Sequence, residues 1–253
     1  MAKLSAQERQ AQIVELLNNN GTMKIVELAN LFQVSRETIR RDLIALNEAG
    51  SVKKLFGGAL PVNNFTTLPI DSRMTSSYDV KMQVCQKAFE YIPDHAVLFL
   101  DTGSTTLCMA NLLKEKSGYT IITNSIPCMN ALVDSSNQLI IAGGNANAQV
   151  MCTFGMQTVS FLQTLKVDIA LLGTAGFDRH KGPATNHFED SQIKKTAIES
   201  AQTSIVLTDS HKATYSSLTQ YASWRDIDYL ITDKEISSEK ASELQEQTAV
   251  IIV

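Results

Sequence analysis

The sequence predicts a two-domain protein, in which a small helical N-terminal domain ending in a β-hairpin precedes a larger α/β domain. Up to about residue 60, apolar residues recur at helical spacing with short breaks, whereas later near-continuous apolar strands alternate with helical segments. The chain has 253 residues, 44% of them hydrophobic, enough for a core in each domain. The predicted boundaries are 1–60 for the first domain, 61–76 for a linker and 77–253 for the α/β domain.

Composition excludes several classes of protein. The N-terminus "MAKLSAQERQ" lacks the apolar core of a signal peptide, and no apolar run approaches the roughly 18 residues needed to cross a bilayer. We therefore expect a cytoplasmic protein with no membrane partner. The four cysteines form no C-x-x-C pair and the four histidines lack metal-ligand spacing, so neither a disulfide framework nor a metal or other cofactor is predicted.

The first predicted helix is "SAQERQAQIVELLNNNG". Ser5 is a candidate N-cap and Glu8, three residues later, completes a capping box, while Gly21 ends the helix. Its predicted buried stripe is Ile13, Leu16 and Leu17.

Two further helices follow at short intervals. The segment "TMKIVELANLF" has helical spacing, and "QVSRETIRRDLIALNEAG" starts at the candidate N-cap Ser35 and stops at Gly50. Their predicted buried residues are Ile25, Leu28, Ala29 and Phe32, then Ile39, Leu43 and Leu46. Next, "SVKKLFGGAL" has the Gly-Gly turn of a two-stranded hairpin. Three helices followed by such a ribbon describe a winged helix-turn-helix.

The outer face of the third helix is basic and hydroxylated, as a recognition helix requires for guanine edges and phosphates. Residues 1–60 carry eight Lys and Arg against six Asp and Glu, although the whole chain has a net charge of −4. The alternative is a solvated face whose arginines pair with Glu37 and Asp42. Because the arginines coincide with a helix-turn-helix frame and a basic hairpin, we expect double-stranded DNA as partner. The candidate DNA-binding residues are Ser35, Arg36, Thr38, Arg40, Arg41, Lys53 and Lys54.

The second region alternates strands with helices, which predicts a parallel sheet covered by helices. The predicted strands are "AVLFLDTG", "YTIITNS", "QLIIAGG", "VDIALLGTAG", "SIVLTDS", "DYLITD" and "AVIIV". The predicted helices are "YDVKMQVCQKAFEYI", "STTLCMANLLKEK", "IPCMNALVDS", "MQTVSFLQTL", "SQIKKTAIESAQ" and "SSEKASELQEQ". Several strands end in small polar or glycine residues, and ligands bind outside such carboxyl ends.

The segment "DTGSTT" indicates an anion site at one of these ends, because backbone N–H groups at a helix start favour negative charge. It is not a Walker loop, and no G-x-G-x-x-G opens a helix, so nucleotide hydrolysis and dinucleotide binding are disfavoured. The alternative is a hydroxyl-rich helix cap without a ligand. Candidates from the strand ends are Asp101, Gly103, Ser104, Thr105, Thr106, Thr123, Asn124, Ser125, Gly143, Gly144, Asp209 and Lys212.

The string "VELANLFQVSRETIRRDLIALNEAG" followed by "FGGA" resembles the DNA-binding signature of the DeoR family of bacterial transcriptional regulators, and the similarity extends from Glu8 to Val253. One departure is Phe56, where the family commonly has His. The resemblance implies a phosphosugar-isomerase-like effector domain that binds a phosphorylated sugar or related metabolite. It adds Gly176, Asp178 and Glu189 to the candidate effector-binding residues.

Two hypotheses therefore remain. The first is a repressor of carbohydrate metabolism, a homodimer or homotetramer without catalytic residues, whose operator binding a sugar phosphate controls. The second is a phosphosugar isomerase with an accessory helical domain. The recognition helix favours the first, because an isomerase has no use for one.

Overall fold

A computed structural model describes residues 4–20, 23–49, 51–55, 57–61, 67, 70–148 and 150–253. The chain divides into two compact units, Met1–Ser76 and Ser77–Val253. Each unit is described by itself below.

The first unit is a winged helix-turn-helix. Its elements are α1 (Ala6–Asn20), β1 (Met23–Lys24), α2 (Ile25–Leu31), α3 (Arg36–Glu48), β2 (Val52–Leu55), β3 (Gly58–Pro61) and α4 (Ile70–Thr75). The sheet order is β1-β3-β2. The sequence predicted a two-stranded ribbon, but the segment between α1 and α2 adds the short strand β1 to its edge.

Two predicted helix caps are confirmed. The Ser5 N–H donates to Glu8 Oε2 at 2.7 Å, and the Glu8 N–H donates to Ser5 Oγ at 3.2 Å, the reciprocal pattern of a capping box. Ser35 Oγ accepts the Thr38 N–H at 3.0 Å and so begins α3. The predicted helix stops Gly21 and Gly50 lie outside the described residues.

The core of the first unit follows the predicted apolar stripes, with two exceptions. The fully buried side chains include Ile13, Leu17, Leu28, Ile39 and Leu43. Leu16 and Phe32 are only half-buried, and Val14 takes the buried place predicted for Leu16. The three helices thus pack through one stripe each, as amphipathic helices do.

The hairpin and the predicted linker differ in detail from expectation. Gly57 lies in the turn, but Gly58 is already the first residue of β3 and pairs with Leu55. Phe56 lies outside the described residues. The predicted linker 61–76 contains α4, and it groups with the first unit rather than standing apart from it.

The second unit contains a seven-stranded sheet in which every pairing is parallel, as predicted. Its strands are β4 (Val97–Leu100), β5 (Ser117–Thr123), β6 (Ser136–Ile141), β9 (Val167–Gly173), β11 (Ala201–Leu207), β13 (Tyr229–Thr232) and β14 (Ala249–Ile252). The helices are α5 (Tyr78–Phe89), α6 (Ser104–Lys114), α7 (Ile126–Leu132), α8 (Met156–Gln163), α9 (Phe188–Ser200) and α10 (Ser238–Gln245). The order β14-β13-β11-β9-β4-β5-β6 places β9 at its centre, between β11 and β4.

Two short antiparallel pairs were not predicted. They are β7 (Asn145–Asn147) with β8 (Cys152–Phe154), and β10 (Ala184–Thr185) with β12 (Thr219–Gln220). Strands of two or three residues leave too short an alternation to stand out in a sequence. Both pairs belong to loops that follow sheet strands, so they shape the carboxyl edge of the sheet.

The core of the second unit lies between the sheet and its helices. Buried side chains of β4, β9 and β11 pack together with Phe177 and Trp224, whose rings meet edge to face at 5.1 Å. All four cysteines are buried and unpaired with one another. Within the described residues there is no cluster of metal-ligating side chains and no helix of sufficient length and apolarity to cross a bilayer.

Candidate functional site

The turn between α2 and α3 fixes the angle of the third helix. Gln33 adopts a left-handed conformation there, with φ of 52°, and its side-chain amide donates to the Asn30 carbonyl at 2.7 Å. A left-handed residue other than glycine is uncommon, so this bond offsets part of the conformational cost. The tight break predicted before the third helix is present.

The basic side chains of α3 are presented to solvent. Arg36, Arg40 and Arg41 are exposed, the last two with 59% and 80% of the side chain accessible. Glu37 lies 3.5 Å from Arg40 and 3.8 Å from Arg41. Exposed pairs of this kind hold their partners weakly, by about 0–1 kcal/mol, so both arginines can be released to a polyanion.

Asp42 does not belong to that exposed face, and its predicted alternative role as a partner of the α3 arginines is wrong. Its carboxylate is buried and accepts from Arg9 of α1, with Nε to Oδ2 at 2.6 Å and the terminal guanidinium nitrogen to Oδ1 at 3.2 Å. Gln10 adds a third bond at 3.0 Å. This two-pronged ion pair anchors α3 to α1.

The other candidate DNA-binding residues flank α3. The Thr38 hydroxyl shares a hydrogen bond with Ser35 Oγ at 2.8 Å, so both hydroxyls are partly engaged in the cap. On β2, Lys54 is exposed, and its backbone N–H donates to Asn47 Oδ1 at 2.9 Å, which ties the hairpin to α3. The side chain of Lys53 lies outside the described residues.

In the second unit, the ends of five neighbouring parallel strands place the candidate effector residues along one edge. Gly173, the last residue of β9, donates its N–H to Asp101 Oδ2 at 2.9 Å across the β4–β9 pair. On the other side, Thr123 Oγ1 donates to the Leu100 carbonyl at 2.6 Å across the β4–β5 pair. These bonds join three strand ends into one rigid rim.

The start of α6 presents the backbone groups that the anion hypothesis needs. The first bond of the helix runs from the Leu107 N–H to the Gly103 carbonyl at 3.0 Å, which leaves the N–H groups of Ser104, Thr105 and Thr106 without an intrahelical acceptor. Thr106 Oγ1 donates to Gly103 O at 3.1 Å, so its hydroxyl serves the cap. The Ser104 and Thr105 hydroxyls make no hydrogen bond within the described part of the chain.

The "TNS" segment after β5 is mostly engaged in its own turn. Thr123 Oγ1 accepts the Ser125 N–H at 3.0 Å, and Ser125 Oγ accepts the Cys128 N–H at 3.3 Å to cap α7. The Asn124 side-chain amide donates to the Thr153 carbonyl at 3.1 Å. Its oxygen Oδ1 is buried and accepts no hydrogen bond from the described residues.

Two of the candidate glycines have a packing role. A Cβ on Gly144 would lie 2.3 Å from Thr158 Oγ1 and 2.5 Å from the Phe154 carbonyl oxygen, and one on Gly176 would lie 2.3 Å from the Tyr215 carbonyl oxygen. Neither position can carry a side chain without moving backbone. Gly143, in contrast, faces open space.

Lys212 lies in a 3₁₀ turn, Ser210–Thr214, that Asp209 precedes. Asp233 fixes this turn by accepting the Ser210 N–H at 2.6 Å and the Ser210 hydroxyl at 2.8 Å. Burial disfavours the Asp233 carboxylate, but these hydrogen bonds prevail and lower its pKa. The Lys212 ammonium lies 4.9 Å from the centroid of the Tyr215 ring.

Backbone bonds place the Gly176–Asp178 segment beside that turn. The Phe177 N–H donates to the Lys212 carbonyl at 3.0 Å, and the Asp178 N–H to the Tyr215 carbonyl at 2.8 Å. The Asp178 carboxylate is 41% exposed and pairs with Arg179 at 3.4 Å. Glu189 is exposed on the first turn of α9, and the acid buried at that point is its neighbour Asp190.

Sequence reasoning missed a buried charged group at the centre of this edge. Lys194 of α9 has a side chain only 3% exposed, and its ammonium donates to Asp101 Oδ2. It also lies 3.6 Å from Asp190 Oδ2 and donates to the Gly173 carbonyl at 3.3 Å. Thr185 Oγ1 donates to Asp190 Oδ2 at 2.6 Å and holds that carboxylate in place.

The electrostatics at this point are dominated by the two acids. Burial and the neighbouring Asp190 raise the pKa of Asp101 to about 6, although Lys194 favours its carboxylate. Burial disfavours the Lys194 ammonium, but Asp101 and Asp190 outweigh it and raise the pKa of the lysine. The two carboxylates and the one ammonium have formal charges that sum to −1. Burial together with the same two acids also raises the pKa of Tyr221 well above its ordinary value.

Comparison with known proteins agrees with both halves of this description. Residues 9–64 match the family model of the DeoR-like helix-turn-helix domain, and residues 76–234 match that of the DeoR C-terminal sensor domain. The second match alone covers more than half of the chain.

Curated relatives align over nearly their full length. The putative aga operon transcriptional repressor of Escherichia coli O157:H7 is 30% identical over 251 residues, 97% of this chain and 93% of that protein. The glycerol-3-phosphate regulon repressor of E. coli K12 is 28% identical, over 89% of this chain and 90% of that protein.

Among solved structures, a ribose 5-phosphate isomerase A from Methanocaldococcus jannaschii is 21% identical with a TM-score of 0.41, over 54% of this chain and 55% of that one. That likeness says nothing of activity. The family models and the aligned relatives show that the chain belongs to the DeoR family of DNA-binding transcriptional regulators.

Proposed function

We propose that this regulator represses a carbohydrate-utilisation operon in the cytoplasm and that a phosphorylated sugar or polyol controls its operator binding. Recognition helix α3 binds the major groove of the operator, and the carboxyl edge of the parallel sheet binds the effector. The observation that carries the proposal is the start of α6, where three backbone N–H groups have no intrahelical acceptor and the Ser104 and Thr105 hydroxyls have no partner among the described residues.

The exposed arginines of α3 support the DNA-binding half of the proposal. Arg40 and Arg41 extend from a helix that is capped by Ser35 and anchored through Asp42, so their backbone positions are set before DNA binds. A recognition helix gains affinity from such preorganisation, because less conformational entropy is lost on binding. Ser35, Arg36, Thr38 and the hairpin residues Lys53 and Lys54 contact phosphates on either side.

Two observations support the effector half. The relatives include proteins named for an aga operon and for a glycerol-3-phosphate regulon, both of them repressors. At the sheet edge, Lys212 follows β11 and Asp101 follows β4, and one strand, β9, lies between them. The lysine side chain there complements the anion-binding start of α6.

Control of DNA binding follows from linkage. An effector that binds more tightly to one arrangement of a homodimer or homotetramer shifts the protein toward it. In the arrangement that the effector favours, the paired α3 helices no longer match the half-site spacing, so operator affinity falls. The effector thus acts as an inducer.

The alternative, a phosphosugar isomerase, requires a general base beside the substrate carbonyl and an acid or oxyanion stabiliser opposite it. Asp101, Asp190 and Asp209 are buried carboxylates of the site, and the first two are held against Lys194. An isomerase has no use for the recognition helix, so we propose that the chain is not an enzyme. Efficient interconversion of aldose and ketose phosphates by the purified protein would reverse that conclusion.

A thermal-shift screen of phosphorylated sugars and polyols, followed by an operator gel-shift assay with the best ligand, tests the proposal. We expect at least one compound to stabilise the protein and to release operator DNA. Lys212→Ala should keep operator affinity but require at least about tenfold more ligand for release, since a charged hydrogen bond contributes about 1.5–3 kcal/mol.

Lys234→Ala is a control for this variant, because it removes a lysine from the loop after β13 instead. The effector assignment is wrong if Lys212→Ala and Lys234→Ala respond to the ligand like the unaltered protein, or if no phosphorylated compound alters operator binding.

A further inference from the structure

The cation at the centre of the effector edge is fully engaged within the protein. A lysine ammonium has three N–H groups, and those of Lys194 face Asp101, Asp190 and the Gly173 carbonyl. The ammonium also lies 5.4 Å from the centroid of the Tyr221 ring, which closes off another side. Lys194 is therefore not available to pair with the phosphate of a ligand.

In each of the two acids around Lys194, in contrast, only one of the two carboxylate oxygens accepts hydrogen bonds from the described residues. Asp101 Oδ2 and Asp190 Oδ2 carry the bonds described above, whereas Asp101 Oδ1 and Asp190 Oδ1 are buried and accept no hydrogen bond from the described residues. Asn124 Oδ1 is likewise buried and accepts no hydrogen bond from the described residues. A buried acceptor without a donor costs about 1–3 kcal/mol, so three of them together are an unusual concentration of unmet acceptors.

The three oxygens belong to one place in the fold. Lys194 joins the carboxylates of Asp101 and Asp190, since both lie within 4 Å of its ammonium. Asp101 and Asn124 each follow directly on a paired position, because Leu100 of β4 is in register with Thr123 of β5. Asp101 and Asn124 therefore stand side by side at the ends of adjacent parallel strands. Asp101 lies three residues before Ser104, the first residue of α6, and Asn124 lies twenty residues after it.

We propose that Asp101 Oδ1, Asn124 Oδ1 and Asp190 Oδ1 form an acceptor floor that binds the hydroxyl groups at the non-phosphorylated end of the effector. This inference rests on the proposed function, and it gives the ligand an orientation. The phosphate binds the N–H groups at the start of α6, and the hydroxyl chain donates to the floor.

The floor also sets a chemical limit on the ligand. Its atoms accept hydrogen bonds, and the formal charges of Asp101, Asp190 and the enclosed Lys194 sum to −1, so it attracts neutral donors and repels a second anion. A polyol phosphate or a sugar phosphate meets this requirement. An aldonic acid phosphate, which carries a carboxylate at the end opposite the phosphate, does not.

Calorimetry on the full chain with matched pairs of compounds tests the floor. Each pair is a hexitol 6-phosphate and the hexonate 6-phosphate of the same configuration, and inorganic phosphate is measured beside them. For the pair that binds most tightly, we expect the hexitol phosphate to bind at least about tenfold more tightly than the hexonate phosphate, the lower part of the range for leaving buried acceptors unmet. Equal affinity, or tighter binding of the hexonate phosphate, overturns the proposal.

Two variants test whether the preference for the hexitol phosphate arises at the acceptor floor. Asp190→Asn removes one negative charge with little change of shape, so this preference should fall at least about threefold. The control Glu199→Gln, at an exposed position of α9, should leave the preference unchanged. If Asp190→Asn does not fold, Asn124→Ala serves instead. It should weaken hexitol phosphate binding at least about fivefold and leave inorganic phosphate binding unaltered. The proposal is overturned by an unchanged preference in Asp190→Asn or, if that variant does not fold, by unchanged hexitol phosphate binding in Asn124→Ala.

The outcomes separate this inference from the proposed function. If phosphorylated compounds bind and release the operator without any preference for hydroxyl over carboxylate ends, only the acceptor floor is wrong. If neither inorganic phosphate nor any organic phosphate binds, the effector site and the floor are both wrong.

Discussion

Helix α3 and the carboxyl edge of the parallel sheet hold their basic side chains in opposite ways. On α3, Arg40 and Arg41 are 59% and 80% exposed and share one weak partner, Glu37. In the second unit, Lys194 is 3% exposed and its ammonium is enclosed by two carboxylates. The arginines are available to any polyanion that approaches, whereas the lysine is committed to the protein itself.

This difference shows what a basic residue can do at each kind of site. An exposed cation binds DNA phosphates because the protein holds it only weakly beforehand. A buried cation instead orients the acids around it, and in the proposal above the remaining oxygens of those acids accept hydrogen bonds from the ligand. A count of charges along the chain does not distinguish the two situations, but burial and pairing do.

The largest effect is expected from removing the buried lysine. Lys194→Met leaves the carboxylates of Asp101 and Asp190 facing each other without a counter-charge, and breaking a buried ion pair costs about 3–5 kcal/mol. We expect that loss in the free energy of unfolding of the second unit, measured by urea denaturation at neutral pH.

The matched control is the next residue of the chain. Lys195 is 62% exposed and lies 4.0 Å from Glu199, so Lys195→Met should change stability by less than about 0.5 kcal/mol. Similar losses in the two variants would mean that the enclosure of Lys194 does not contribute as described.

An intermediate effect is expected from the exposed arginines, and it should appear in DNA binding rather than in stability. Arg40→Ala and Arg41→Ala, each alone, should weaken operator binding by about 1–3 kcal/mol if they contact base edges. Urea denaturation should show both proteins to be as stable as the unaltered chain. Undiminished operator affinity in both variants would contradict the assignment of α3 as the recognition helix.

The smallest effect concerns Glu37, the shared partner of these arginines. Glu37→Gln releases both side chains and removes a negative charge from the exposed face of α3, so operator affinity should rise about two- to fivefold at low salt, in keeping with the 0.2–1 kcal/mol of exposed pairs. Glu48→Gln removes the same charge from the last residue of α3. An equal rise in both variants would attribute the gain to net charge rather than to the pairing, and no rise in either would show that Glu37 does not restrain the arginines.

Local rules predicted most of the fold. The caps at Ser5 and Ser35, the apolar stripes and the parallel strands follow from short-range patterns, since each depends on residues a few positions apart. The β1 strand and the short pairs β7–β8 and β10–β12 were missed, because two or three residues do not establish a period. Their pairing is decided by tertiary contacts rather than by propensity.

The candidate site was predicted less completely, for a specific reason. Asp190 and Lys194 are spaced i, i+4 on α9 and share a helical face with Ala197, which is buried. That spacing was visible in the sequence, but the predicted helix began at Ser191, after Asp190, and adjacent lysines gave no sign of which one is enclosed. Glu189 was chosen in place of Asp190 because a family motif predicts which segment lies at the site more reliably than it predicts which side chain of that segment points inward.

The ion pair between Arg9 and Asp42 has a consequence for how operator specificity can change among related proteins. The two residues are 33 positions apart in the chain, yet neither can be replaced alone without leaving a buried charge. A recognition helix acquires new targets through single substitutions, but a single substitution of Asp42 would leave Arg9 buried without its partner, although Asp42 lies beside Arg41. Divergence of operator preference is confined to the exposed positions of α3, while Arg9 and Asp42 should be inherited, or exchanged, as a pair.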